Sequence, residues 1–280
     1  MKVIIFIPIL LLFFNDSNIS NQTYTQKKNA LLIGMTTTNL SHLYSNTATS
    51  LASSNISRIN NILKKEKFNI KELDSPNSTE FLEAIKESLS PLKEDDFLVI
   101  YYYGHGGQVI DDPNDWDLEL DGLDETFVTR DREVKDDELY EILLQNRNSP
   151  RVLMIIDACN SGTSYKMRPE LPDFTYKNSY NFLDTPQIDK FKVLKPNLKA
   201  QLDRIITLDL IYLSSSSDGM AIPSDTFSKV ITRIWNNGNF KGDYNKFFSK
   251  IKDKSYLYNI YPTMDTSNAS SNFINSQILK

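Results

Sequence analysis

Two residue types that are scarce in this chain stand at matching places. The chain has one cysteine and two histidines. Cys159 closes the run RVLMIIDAC, and His105 closes FLVIYYYGH. Each run reads as a strand buried on both faces, with a reactive residue just past its end. A histidine within hydrogen-bonding reach of a thiol holds its thiolate form or accepts its proton, and that makes a nucleophile. Gly106 and Gly107 let the main chain approach a substrate, and the N–H groups near Gly106 and Cys159 are candidate donors to a developing oxyanion. Each residue alone has a plainer reading: a lone Cys as a buried small hydrophobe, a lone His as a satisfied core residue. The paired placement favours chemistry. A single cysteine excludes an intramolecular disulfide, and one Cys with two His cannot supply ordinary zinc-ligand spacing. His42, in the polar stretch TTTNLSHLYS, reads as a surface residue.

For both residues to meet, their strands must end on the same sheet edge. The rest of the chain supplies such a sheet. NALLIGM, FNIKEL, DDFLVIYYY, RVLMIID and LDLIYLSSSS read as strands. Leu51, Ile56, Ile59, Ile62 and Leu63 recur at near-helical spacing within 49–65. Thr79 is expected to cap a helix carrying Phe81, Leu82, Ile85 and Leu89 that ends before Pro91, and Asp136 to cap DELYEILLQ. Phe227, Val230, Ile231, Ile234 and Trp235 form a further helical stripe ending near Gly238. An acidic loop, DDPNDWDLELDGLDETF, and a polar stretch from Asn160 to about Arg204 show no such period. The alternation predicts an α/β fold, a three-layer α/β/α sandwich around a mostly parallel sheet. In such sheets reactive groups gather at the carboxyl ends of the strands.

The composition is that of a globular protein: 280 residues, 40% hydrophobic and 24% charged. A net charge of -5 argues against a nucleic-acid or anionic-membrane partner. Lys2 followed by an apolar run from Val3 to Phe14 suits the core of a secretory signal and is short for a bilayer span. Residues 1–20 are therefore expected to be a signal peptide or N-terminal anchor, 21–28 a linker, and 29–280 one catalytic domain. Export, to the outside or the periplasm, is expected, with membrane contact only through an uncleaved N-terminal segment. No phosphate-cradling G-x-x-x-x-G-K loop occurs, which counts against reading the acidic loop as a phosphohydrolase site.

YYYGHGGQ and DACNSG resemble the histidine and cysteine motifs of type I metacaspases. Between them, LDGLDETFVTRD and VKDDELYEIL resemble the acidic loop and following helix of that group. NALLIGM resembles its first strand and LSSSSDGMAIP its last core strand. The resemblance implies a caspase-like fold and a cysteine endopeptidase. In it Cys159 attacks the scissile carbonyl, His105 acts as base and acid, and Gly106 and Cys159 N–H groups form the oxyanion hole. It implies protein or peptide substrates cleaved after Arg or Lys, self-processing, a monomer, and calcium as the one cofactor, with no organic cofactor. The calcium positions are Asp124, Asp136 and Asp137; a fourth acidic position falls near Lys166, which brings the opposite charge. The substrate-pocket positions are Asp157, Asn55, where the family has an acid, and Tyr103, where many members have a small Ser. No arginine suited to an acidic substrate residue is evident. These three departures keep open an alternative, an inactive caspase-like scaffold or binding module.

Overall fold

The computed structural model describes residues 25–44, 46–110, 123–158, 206–216 and 225–280. The N-terminal apolar run, the acidic stretch 111–122, Cys159, Lys166 and the polar stretch to residue 205 lie outside the described residues. Among the described residues no helix is long and apolar enough to cross a membrane.

The expected sheet forms from five parallel strands and one antiparallel edge strand. These are β1 (Lys28–Gly34), β2 (Asn69–Asp74), β3 (Phe97–Tyr103), β7 (Arg151–Asp157), β8 (Asp209–Ser214) and β9 (Thr263–Asn268), in the order β2-β1-β3-β7-β8-β9. β3 is buried at every residue, as its unbroken apolar run requires.

Two helical layers cover the sheet. α1 (Asn46–Lys65), α4 (Thr226–Trp235) and α5 (Tyr244–Tyr256) pack on the face carrying Val99, Tyr101, Tyr103, Leu153 and Ile155. α2 (Ser78–Leu89) and α3 (Asp136–Gln145) pack on the face carrying Ile100, Tyr102, Val152, Met154 and Ile156. Successive strand residues point to opposite faces, so Tyr102 belongs to the second layer and its two tyrosine neighbours to the first. The three-layer α/β/α architecture is as expected.

Three local expectations change. Asn77, not Thr79, caps α2: its side chain accepts the Glu80 N–H at 2.9 Å, and Glu80 Oε2 accepts the Asn77 N–H at 2.8 Å, a reciprocal capping box. Asp136 is the first helical residue of α3, and Lys135 holds the N-cap position. The end of the acidic loop is a strand, since β4 (Gly106–Ile110), β5 (Leu123–Val128) and β6 (Glu133–Lys135) pair into a small antiparallel sheet. The C-terminal segment adds α5, β9 and α6 (Ser271–Ile274), which the sequence pattern does not reveal.

Candidate active site

β3 and β7 are parallel neighbours with Tyr103 opposite Asp157. His105 and Cys159 each stand two residues beyond that pair. The two strand ends also touch through main chain, the Gly104 N–H reaching the Asp157 carbonyl at 3.4 Å. Adjacent strands run about 4.8 Å apart, so both motifs leave the sheet side by side at its carboxyl edge.

His105 is half-buried and its main chain is fixed. The Val128 N–H donates to its carbonyl at 3.1 Å, and the Tyr102 hydroxyl lies 2.8 Å from the same oxygen. Its ring lies against Tyr44, centroids 5.1 Å apart and planes tilted by 34°. Tyr44 is held in turn: its hydroxyl donates to Glu133 Oε1 at 2.5 Å, and Glu133 Oε2 accepts from the Thr126 hydroxyl at 3.1 Å. Nothing in TTTNLSHLYS marks Tyr44 in advance. A side chain at Gly107 would displace its neighbours, because a Cβ would stand 2.9 Å from Thr126 Oγ1 and closer still to the Tyr44 hydroxyl.

Gly106 pairs with Phe127 across the β4–β5 ladder. Hydrogen-bonded and non-hydrogen-bonded pairs alternate in antiparallel sheets, and the Val128–His105 bond fixes the phase. The Gly106 N–H therefore points away from β5.

Cys159 itself lies outside the described residues, but the chain leading to it is held tightly. The Ser215 and Ser216 hydroxyls donate to the Ala158 carbonyl at 3.1 and 3.0 Å, and the Ser215 N–H donates to the Ile156 carbonyl at 2.9 Å. The serine run SSSS thus anchors the residue before the cysteine.

Asp157 continues the face of β7 that meets α1 and α4, and it is 1% exposed. Burial pushes its carboxyl up to about 7, opposed by the Tyr101 hydroxyl, the Ser215 hydroxyl and the Ser228 N–H in the first turn of α4, while Asp225 adds to the rise. The Tyr101 hydroxyl donates to Oδ2 at 3.0 Å. Tyr103 is buried on this same face. Asn55, fully buried in α1, accepts a hydrogen bond from the Ser228 hydroxyl. The structure therefore brings the Asp157 and Asn55 positions together around the start of α4.

It adds three groups that sequence reasoning missed, Arg58, Asp225 and Lys229. Arg58 Nη1 donates to Asn55 Oδ1 at 3.0 Å and to the Ser228 hydroxyl at 3.3 Å, and its Nη2 lies 3.5 Å from Asp225 Oδ2. Lys229 Nζ is 2.5 Å from the same Asp225 oxygen. Arg58 lies one turn along α1 from Asn55. That spacing was the available signal, but Asp225 is 167 residues away.

At the expected calcium positions, one carboxylate among the described residues is already paired. Lys135 Nζ is ion-paired with Asp124 Oδ2, and an ammonium on a carboxylate competes with any hard cation for that oxygen. Asp136 is 2% exposed and its Oδ1 accepts the Asp137 N–H at 3.1 Å. Among the described residues no three Asp, Glu, His or Cys side chains converge to hold a metal ion.

Comparison with known proteins places these features in a family context. The model of the metacaspase, peptidase C14 domain family matches residues 28–168. The chain is 34% identical over 106 residues to metacaspase-1 of Schizosaccharomyces pombe, covering 36% of this chain and 23% of that protein. It is 30% identical over 93 residues to metacaspase-1 of Saccharomyces cerevisiae (S288c), covering 31% of this chain and 21% of that protein. The matches thus span less than a quarter of the length of these curated relatives. Among solved structures, a protein of Geobacter sulfurreducens superposes with a TM-score of 0.63 at 25% identity, over 91% of this chain and 98% of that one. Caspase-1 of Spodoptera frugiperda superposes with a TM-score of 0.54 at 14% identity, over 91% and 92%, a likeness of fold.

Proposed function

The chain belongs to the metacaspase, peptidase C14 family, and from that premise we propose that it is a cysteine endopeptidase working through His105 and Cys159. The observation that carries this reading is the register of Tyr103 with Asp157 on neighbouring parallel strands. It gives the two motif residues the same offset from the same edge. In the proposed reaction His105 takes the Cys159 proton and the sulfur attacks the scissile carbonyl carbon. The Gly106 and Cys159 N–H groups receive the developing oxyanion. His105 returns the proton to the leaving amine, and a water, deprotonated by the same histidine, cleaves the thioester.

Substrates in this proposal are proteins or peptides cut after Arg or Lys, the cation meeting Asp157 with Asp225 nearby. Self-processing within the Lys- and Arg-containing stretch 160–204 belongs to the same proposal, as do export and a monomeric state. Calcium stimulation fits it poorly, since the Asp124 carboxylate already holds the Lys135 ammonium. Arg58 favours a second reading of specificity, a preference for acidic or uncharged residues before the scissile bond. The test is a panel of peptides ending in Arg, Lys, Asp or an uncharged residue, offered to the full chain and to Cys159→Ala. Thiol-dependent turnover supports the peptidase. Folded protein that is inert and unlabelled by a thiol-reactive peptide inhibitor supports a scaffold instead.

A further inference from the structure

One of the three carboxylates that a metacaspase would be expected to offer to calcium, that of Asp124, is paired in this chain with one of its own side chains. β5 and β6 pair with Thr126 opposite Lys135. Side chains alternate along a strand, so Asp124, two residues before Thr126, lies on the same face as Lys135. The ammonium and the Asp124 carboxylate form an ion pair in which the Asp124 side chain is 2% exposed and that of Lys135 31%. A carboxylate so deeply buried requires a cationic partner or strong donors to remain charged. Lys135 also occupies the N-cap position of α3. A lysine side chain cannot accept a helix N–H, and its charge opposes the positive end of the helix dipole. The first-turn carboxylates of α3, Glu138 among them, also feel the lysine charge, but its ion pair is with the buried Asp124.

We propose that Lys135 is the resident cation at Asp124, taking the neutralising role of a metal ion, so that the β5–β6 sheet and the start of α3 assemble without calcium. The placement matters for His105. The same face of β5 and β6 carries Glu133, which accepts from the Tyr44 hydroxyl, and Thr126, which donates to Glu133, and Tyr44 lies against the His105 ring. A cation tethered by the chain keeps that support in place at any calcium concentration.

The proposal takes from the peptidase reading only the expectation of calcium, and it is tested by melting without substrate. Failure of one therefore leaves the other standing. Thermal unfolding of the full chain is followed in EGTA and in millimolar CaCl2, with MgCl2 as control, for the wild type, K135R and K135M. Wild type and K135R are expected to melt at the same temperature in all three. K135M is expected to melt lower in EGTA and to recover by at least about 3 °C in calcium. A wild-type melting temperature that rises in calcium but not magnesium overturns the proposal. So does a K135M variant as stable as wild type in EGTA. Where K135M does not fold, K135M/D124N decides. Recovery of a cooperative transition near the wild-type temperature supports neutralisation of Asp124, and continued failure to fold overturns it.

Discussion

The Tyr101 hydroxyl reaches from β3 to β7 and donates to Asp157 Oδ2 at 3.0 Å within the buried face of the sheet. Burial, then the charge of Asp157, raise the Tyr101 hydroxyl well above its ordinary range, so it remains a donor throughout the working pH range. The carboxyl it serves is itself raised, to about 7. Strand, hydroxyl and carboxyl are fixed together two residues ahead of the cysteine.

That pairing gives stability a definite pH slope. An unfolded Asp ionises near 3.8, while the folded Asp157 keeps its proton until about 7. The stabilisation is fully present below the unfolded value and is lost as pH rises through the folded one. It amounts to roughly 4 kcal/mol across that window. Replacing Asp157 by Asn should flatten the fall of melting temperature between about pH 4 and 7. An unchanged slope in Asp157→Asn would assign the pH dependence to other groups.

Removing either partner of the dyad should abolish turnover while leaving the fold. Cys159→Ala and His105→Ala are each expected to lower kcat/KM by at least about 100-fold, with melting temperatures close to wild type. Combining them should cost little more than one alone, because the groups act as a unit. Independent, multiplying losses would argue against a shared step.

Gly107→Ala probes the support behind His105. The added methyl meets Thr126 Oγ1 and the Tyr44 hydroxyl, and overpacking of this kind costs about 1–3 kcal/mol. The variant should melt lower and lose kcat more than KM, since Tyr44 can move only by leaving the histidine ring. Tyr44→Ala in the same background should relieve the melting defect without restoring kcat.

Arg58 and Asp225 should set the preference before the scissile bond. Arg58→Ala removes a cation competing with a basic substrate and is expected to raise kcat/KM for Arg peptides relative to uncharged ones by about 3- to 10-fold. Asp225→Ala should move the same ratio the other way. If neither variant shifts it, the pair lies outside the substrate's reach.

The reasons why some of this was legible from sequence are local. β1, β3, β7 and β8 announce themselves because strands covered on both faces are continuous apolar runs, and His105 and Cys159 stand out at two of their ends. β4, β5 and β6 were hidden because short strands with interspersed polar residues read as loop: LDETFV and EVK break their apolar residues with Asp, Glu and Lys, and GGQVI opens on two glycines and a Gln. The cap of α2 was misplaced by two residues because Asn77, Ser78 and Thr79 are all acceptable capping types, and only the reciprocal bond with Glu80 distinguishes them. Arg58, Asp225, Tyr44 and Lys135 were missed for a different reason. Each acquires its role from a partner on another element, 167 residues distant for Arg58 with Asp225 and 61 for Tyr44 with His105. Spacing along the chain carries no trace of such meetings.

β7 and β8 are hydrogen-bonded neighbours from the pair Arg151 with Asp209 to the pair Ile156 with Ser214, yet the chain between them runs through residues 158 to 208. A cut anywhere in that connection would sever the covalent chain and leave the central sheet zipped. The nicked molecule would give two bands on a denaturing gel and elute as a single particle under native conditions. Its halves would share one hydrophobic layer, because α1 from the first packs on α4 from the second, which in turn packs on α5.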